Sequence, residues 1–196
     1  MSSKNLSTRD RILQASLKLL QSGEGSAVRM SDIAKGAKIS RQALYLHFPT
    51  RADLLIATTQ YLDEINDIEG KLVESRTAIS GEVRLMAWVD VWGNYIPVMY
   101  GVGKALWAMM DSDEEARAAW DDRMSAVKDG CRAAVADLKR DSKLTDSLSE
   151  SEATDYLWAL LSVRGWELLR IECKWTQERY IEVMKQLAAK TLIKAS

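Results

Sequence analysis

The residues best suited to a chemical task lie close together near the start of the chain. Arg41 and Gln42 are adjacent side chains that can each form two hydrogen bonds at once, which suits the major-groove edges of guanine and adenine. Tyr45 and His47 follow them and add a hydroxyl and an imidazole group that suit phosphate oxygens. This order of residue types favours contact with a nucleic acid.

Two short predicted helices must hold these side chains in place. Ser40 is positioned to cap the second helix, and Leu44 and Phe48 recur with the spacing of its buried side. The first helix has its apolar positions at Ile33, Ala34 and Ala37. A tight turn between the two completes a pattern typical of a helix-turn-helix, in which one face packs on a small core and the other enters the major groove.

The charge is distributed unevenly, although the chain as a whole has a net charge of −1. Residues 1–51 contain nine Lys and Arg against three Asp and Glu, whereas the remaining residues contain 18 against 25. The excess of positive charge surrounds the predicted helix-turn-helix, and it favours a polyanionic partner at that end of the chain.

Cysteine and histidine are too few for several other classes of protein. Cys131 and Cys173 form no CxxC pair, and His47 is the only histidine, so the sequence supports neither a disulfide framework nor a zinc site. No run approaches the roughly 18 apolar residues of a membrane span, and residues 1–9 lack the apolar core of a signal peptide. We therefore expect a cytoplasmic protein without a metal or another cofactor.

The apolar residues recur with helical rather than strand spacing, which predicts an all-α fold of about nine helices. Three capping patterns precede amphipathic stretches, at Ser7, Ser112 and Ser149. The spacing predicts one long helix over residues 53–74. The most apolar stretch, residues 83–110, is expected to divide into two central helices at Pro97 and the glycines that follow it.

Residues 9–55 contain a series of short motifs. These are Arg11-Ile12-Leu13-x-Ala15, a loop glycine at Gly23 or Gly25, Asp32-Ile33-Ala34, Ser40, Leu44-Tyr45-x-His47-Phe48-Pro49 and Asp53-Leu54-Leu55. The series resembles the N-terminal domain of the TetR family of bacterial transcriptional repressors. Lys38 stands where the family usually has Gly, and Arg29 where it often has Ser or Thr. We therefore expect a slightly rearranged turn and a charged contact in place of one helix cap.

The resemblance implies a three-helix DNA-binding domain of the helix-turn-helix type over residues 1–51, joined to a larger helical bundle for effector binding and dimerisation over residues 52–196. Arg41 and Gln42 are expected to contact bases, and the others on the same surface to contact bases or the backbone. The expected DNA-binding residues are Arg29, Lys38, Ser40, Arg41, Gln42, Ala43, Tyr45, His47 and Arg51.

An aromatic stripe marks a second candidate site. Large rings with flexible Met side chains between them can line a cavity for a flat apolar ligand, although such a stripe is more often part of a packed core. Asp90 or Asn94 would supply a polar anchor. Together with the effector cavity that the resemblance implies, the expected ligand-binding residues are Trp88, Trp92, Tyr95, Met99, Trp107, Met110 and Trp158.

The last two predicted helices are rich in apolar residues. The resemblance implies that they pair across a two-fold axis, and the alternative is that some of these residues only close the core of the monomer. The interface candidates are Leu157, Leu161, Leu168, Val183, Met184 and Leu187.

These expectations combine into a homodimeric repressor that binds a palindromic operator on double-stranded DNA and is released by an apolar or aromatic effector. One alternative is a DNA-binding regulator that a protein partner controls, without a small-molecule effector. Another is an all-helical enzyme on a hydrophobic substrate. Its candidate carboxylates, in residues 111–115 and at Asp121 and Asp122, are equally explained by helix capping and a solvated face.

Overall fold

In the computed structural model, which describes residues 6–22 and 28–194, the chain folds into helices. They are α1 (Thr8–Gln21), α2 (Met30–Ala37), α3 (Arg41–His47), α4 (Arg51–Ile65), α5 (Ile68–Arg76), α6 (Gly81–Met110), α7 (Glu114–Arg140), α8 (Glu150–Leu160), α9 (Val163–Glu167), a π-helical turn (Leu168–Glu172) and α10 (Gln177–Leu192). The all-α prediction is confirmed for the described residues. Gly23 and Gly25, the candidate loop glycines, lie outside them.

The chain divides into two compact units, and the first contains residues 1–66 and 99–123. In this unit α1 packs against α2 and α4. Fully buried side chains from α1 to α4 form its core, among them Ile12, Leu13, Ile33, Leu44, Leu54 and Leu55. The buried hydroxyl of Thr58 donates to Ser16 Oγ at 2.9 Å, so the polar groups between α1 and α4 satisfy each other.

The second unit contains residues 67–98 and 124–196. Its core holds large rings from α6, because Trp88 and Trp92 are both buried. Trp88 lies against Gly130 of α7, where an added Cβ would come within 2.1 Å of the indole ring. A glycine is thus required at this position to admit the tryptophan.

Side-chain caps begin several helices, as two of the three capping patterns predict. Ser7 Oγ accepts the Asp10 N–H at 3.1 Å, and Ser149 and Glu152 form a complete capping box. The prediction for Ser112 is wrong, because Asp113 provides the cap instead. Its Oδ1 accepts the backbone N–H groups of residues 115 and 116, each at 3.1 Å.

The predicted long helix over residues 53–74 is wrong. It is interrupted at Asn66 and Asp67, between α4 and α5. Asp67 has a φ of 49° and caps α5 by accepting the Gly70 N–H at 3.3 Å. Asn and Asp tolerate the left-handed conformation and compete with the helical backbone through their own side chains, which explains a break here.

The predicted division of the central apolar stretch is also wrong, since α6 runs through Pro97 without a break. A proline inside a helix leaves the carbonyl four residues earlier without its donor. That carbonyl belongs to Gly93, and Gln177 Nε2 of α10 donates to it at 3.0 Å. The continuous helix is possible because this side chain replaces the lost hydrogen bond.

None of the helices in the described ranges has both the length and the apolar character needed to cross a membrane.

Candidate nucleic-acid interface

The candidate interface is built on α3, whose position in the first unit is fixed from one side. Leu44 is fully buried and Phe48, just beyond the helix, is 3 % exposed. Ser40 begins the helix by accepting the Ala43 N–H on its Oγ at 3.0 Å. The sequence pattern of two apolar anchors and a serine cap therefore forms as predicted, and it turns the remaining side chains of α3 outward.

The turn before α3 depends on Lys38. This residue adopts φ 57° and ψ 47°, the left-handed conformation that the family's usual glycine would adopt readily. Its N–H bonds to the carbonyl groups at the end of α2, and Arg11 of α1 donates to the Ala37 carbonyl at 3.3 Å. The sequence motif that contains Arg11 does not predict this role. The two contacts set the direction of the chain between α2 and α3.

Arg41 and Tyr45 form a pair on the exposed side of α3. Arg41 Nη2 donates to Tyr45 Oη at 3.3 Å, and the guanidinium carbon lies 5.5 Å from the centre of the tyrosine ring. The hydrogen bond to Tyr45 raises the pKa of Arg41, which is charged at every ordinary pH. The tyrosine ring therefore restrains the charged Arg41 side chain before any partner binds. Less conformational entropy is then lost on binding.

The other predicted polar residues are also accessible. Exposed positions are Arg29, Lys38, Ser40, Gln42 and His47, and Ala43 is half-buried. Arg29 is the N-cap residue of α2 and makes no side-chain cap. Together with the Arg41–Tyr45 pair, these residues present cationic and hydrogen-bonding groups from the turn and from α3 on one small unit. Such a surface can bind phosphate oxygens and read base edges.

Arg51 is a correction to the predicted set. Its side chain is 13 % exposed and forms an ion pair with Asp113. Arg51 Nε also donates to the Val28 carbonyl at 2.9 Å, and Nη2 contacts Met109 Sδ at 3.4 Å. The prediction as a phosphate contact is wrong because the guanidinium group is already bound within the first unit.

The aromatic residues predicted to bind a ligand fall into both units, and in the second unit two of them have internal partners. Trp88 Nε1 donates to Cys131 Sγ at 3.4 Å, and Trp92 Nε1 donates to the Leu161 carbonyl at 2.9 Å. Burial raises the pKa of the Cys131 thiol to about 12, so the thiol is neutral beside the indole. Trp88 and Trp92 thus lie in packed contacts of the core.

Tyr95 borders a cleft of about 360 Å³ between α5 and α6 in the second unit. Both expected polar anchors, Asp90 and Asn94, also line this cleft, and Glu74 faces them from α5. A neighbouring cleft of about 600 Å³ shares Glu74 and Asp90 and extends to α10. The structure therefore brings the predicted Tyr95 together with its predicted anchors.

The remaining ligand candidates lie elsewhere. In the first unit, Met99 is buried and Trp107 is half-buried against Trp120, with ring centres 4.7 Å apart. Met110 borders a cleft of about 500 Å³ beside the start of α7. Trp158 belongs to the second unit, is 36 % exposed and has the Lys128 ammonium group 5.1 Å from its ring centre.

The interface candidates divide by burial. Leu157, Leu161 and Met184 are at most 3 % exposed within the second unit, so their prediction as interface residues is wrong. Leu168 and Leu187 are 51 % and 38 % exposed, and the remaining candidate, Val183, is half-buried. Helical spacing could identify all of these residues as apolar. It could not show which of them a neighbouring helix of the same chain covers.

The short α2, the left-handed turn and the exposed α3 define a protein with a helix-turn-helix domain. The model of the family "Bacterial regulatory proteins, tetR family" matches residues 12–58. Residues 12–58 of this chain therefore form an N-terminal domain of the TetR family of bacterial regulatory proteins.

Different relatives match stretches of different length in this chain. The nucleoid occlusion factor SlmA of Marinomonas sp. (strain MWYL1) is 34 % identical over 64 residues, which cover 33 % of this chain and 32 % of that protein. The chain thus spans about a third of the length of this relative. The HTH-type transcriptional regulator CymR of Pseudomonas putida is 23 % identical over 175 residues, covering 89 % of this chain and 83 % of CymR.

The fold has close counterparts among solved structures. A regulator from Rhodococcus sp. assigned to the TetR family superposes with a TM-score of 0.74. The alignment covers 94 % of this chain and 98 % of the other, at 20 % sequence identity. At this identity the likeness concerns the fold alone.

Proposed function

We propose that this protein is a homodimeric transcriptional repressor that binds a palindromic DNA operator and releases it when a small apolar or aromatic effector binds. The observation that carries the proposal is the exposed side of α3, where Arg41 and Tyr45 are paired and Gln42 is free of the core. A helix that offers such groups from the face opposite its buried anchors is suited to the major groove.

The charge distribution supports the same partner. Residues 1–51 have the excess of Lys and Arg, and Arg29, Lys38 and Arg41 are all exposed in the first unit. Arg51 is bound within the first unit and so is not part of the contact surface, which leaves these three cations. Each one that neutralises a phosphate releases counterions, so binding weakens as the salt concentration rises.

Dimerisation is supported by apolar side chains that the second unit leaves exposed. Leu168 and Ile171 on the π-helical turn are 51 % and 44 % exposed, and Leu187 on α10 is 38 % exposed. A second copy related by a two-fold axis would cover the same residues on both chains. A dimer would also place two α3 helices on half-sites about 34–36 Å apart, or a multiple of that distance.

The effector half of the proposal rests on the cleft between α5 and α6. Val91 offers it an apolar surface and Tyr95, which is 2 % exposed, borders it, while Asp90 and Asn94 offer polar contacts. An effector releases DNA only if it binds a second conformation more tightly than the DNA-binding one. We propose that the effector binds in this cleft, and that it binds more tightly in the conformation that does not bind DNA.

Selection of bound sequences from random duplexes by the purified protein tests the DNA half. Enrichment of an inverted repeat supports the proposal, and failure to enrich any sequence contradicts it. For the effector half, a panel of apolar and aromatic compounds is titrated against the protein on its selected duplex. Release by at least one compound, abolished by Tyr95→Ala, is the expected result, with Tyr100→Ala as the matched control on α6.

A regulator without a small-molecule effector is the second candidate. The packing of Trp88 against Gly130 favours it, because this part of the aromatic stripe is filled by the protein itself. This candidate predicts the same operator selection but no compound that releases the duplex. A protein partner would then control DNA binding.

A further inference from the structure

Leu46 is 82 % exposed, an unusual position for a large apolar side chain on a short helix. Successive residues of an α-helix are rotated by about 100°, so Gln42 and Leu46 lie on the side of α3 opposite the buried Leu44. Leu44 and Phe48 already anchor the helix to the core. Leu46 therefore has no packing role in the first unit.

The side chains around Leu46 are polar. Arg41 and Tyr45 lie along one flank of the outward face, and His47 lies on the other. Leu46 is thus an apolar spot in the middle of a surface that is otherwise suited to bases and phosphates. The base edges of the major groove carry one apolar group, the C5-methyl of thymine, and apolar side chains recognise it by contact.

We propose that Leu46 contacts a thymine methyl group and is a specificity-determining residue of this protein. The inference rests on the proposed binding of α3 in the major groove. Side chains one turn apart on a helix have Cβ atoms about 5–6 Å from each other, and base pairs rise by about 3.4 Å. The thymine therefore lies within about two base steps of the base that Gln42 contacts.

A duplex in which deoxyuridine replaces thymine tests the contact directly, because deoxyuridine lacks only the methyl group. Each thymine of the selected operator is replaced in turn, in both half-sites. Fluorescence anisotropy then gives the Kd for the wild-type protein, for Leu46→Ala and for Ile65→Ala. Ile65 is the matched control, since it is 53 % exposed but lies at the end of α4.

For the wild type, we expect one thymine position at which deoxyuridine weakens binding about fourfold per half-site, the value of one buried methyl group. Leu46→Ala should lose affinity for the thymine duplex and no longer distinguish deoxyuridine at that position. Ile65→Ala should retain the wild-type profile. The dependence of affinity on salt should be the same for all three proteins, because no phosphate contact changes.

Two results would overturn the inference. Leu46→Ala with an unchanged deoxyuridine profile would mean that Leu46 contacts no thymine methyl. An equal loss of affinity for the operator and for random duplexes would place Leu46 against the sugar-phosphate backbone instead. If the wild type selects no sequence, the proposed function itself fails, whereas selection of an operator together with either result above contradicts only the role of Leu46.

Discussion

The side-chain nitrogen of Gln177 donates a 3.0 Å hydrogen bond to the backbone carbonyl of Gly93, the carbonyl that Pro97 leaves without a helical donor. The oxygen of the same amide accepts Trp166 Nε1 at 3.0 Å and Arg170 Nε at 3.2 Å. One side chain on α10 therefore connects α6, α9 and the π-helical turn within the second unit.

Replacing Gln177 with Ala should destabilise the protein by about 1–3 kcal/mol, because the Gly93 carbonyl and the Trp166 indole would both lose a partner away from water. Urea unfolding measures the change. Gln186→Ala is the matched control, since Gln186 lies on the same helix, is exposed and bonds to Glu182 one turn away. An equal effect of the two variants would refute the bridging role.

Arg51 should support stability without contributing to the salt dependence of DNA binding. Its ion pair with Asp113 is largely buried, so we expect Arg51→Ala to cost about 2–3 kcal/mol by leaving this carboxylate without its cationic partner. Arg76→Ala removes an exposed ion pair with Glu69 and should cost less than about 1 kcal/mol.

A role of Arg51 in stability is distinguished from a phosphate contact by measuring the DNA affinity of Arg51→Ala at several salt concentrations, under conditions in which the variant is folded. The slope of log affinity against log salt should equal that of the wild type. A slope flattened by about one phosphate contact would restore the original prediction for this residue.

Lys38→Gly should stabilise the first unit. A side chain in the left-handed conformation costs about 1–2 kcal/mol, and the extra freedom of glycine in the unfolded chain offsets about 0.5–1 kcal/mol of the gain. The expected net gain in the free energy of unfolding is about 0.5–1 kcal/mol. Lys35→Gly, inside α2, should instead lose about 1 kcal/mol. Loss of stability in Lys38→Gly would contradict the assigned turn.

Tyr180→Phe should also stabilise the protein, by about 1 kcal/mol, because no described residue accepts or donates a hydrogen bond at the buried Tyr180 hydroxyl. Burial raises the pKa of this tyrosine above its ordinary value. The folded state then holds the phenolic proton more tightly than the unfolded state does.

The contribution of Tyr180 to stability is consequently complete below about pH 10 and declines as the pH rises above that value. The phenylalanine variant lacks this decline, so its advantage should grow above about pH 10. Chemical unfolding at pH 7, 10 and 10.8 measures both effects. A constant difference between the two proteins would contradict the raised pKa.

Local features of the helix-turn-helix were predictable from the sequence. Ser40, Leu44 and Phe48 act over distances of a few residues, so their spacing is enough to predict the cap and the buried side of α3. The place of Lys38 in the turn followed from the resemblance to the TetR family, in which this position usually holds Gly. The continuity of α6 was not predictable, since Gln177 lies 84 residues after the carbonyl that it satisfies.

The candidate site was predictable to the same extent. Gln42 lies opposite Leu44 in the helix period, Arg41 and Tyr45 lie on the flank of the helix, and all three side chains are exposed. Arg51 is an arginine like Arg41 and is adjacent to the motif. Its guanidinium group is nevertheless bound by Asp113, 62 residues later. The role of Leu46 is not predictable, because an apolar residue in a helix suggests a core position and only the fold reveals that this one is exposed.

We propose that the exposed face of α3 binds duplex DNA through its cations and hydrogen-bonding groups. The most direct test is the salt dependence of affinity for the selected duplex, compared between the wild type and Arg41→Ala. For the wild type, we predict that log affinity falls linearly with log salt concentration. Arg41→Ala should relax the base preference at one position per half-site. Its salt dependence should also be flatter if the Arg41 guanidinium neutralises a phosphate. A wild-type affinity that does not change with salt, or an Arg41→Ala variant that binds and selects sequences as the wild type does, would contradict the account.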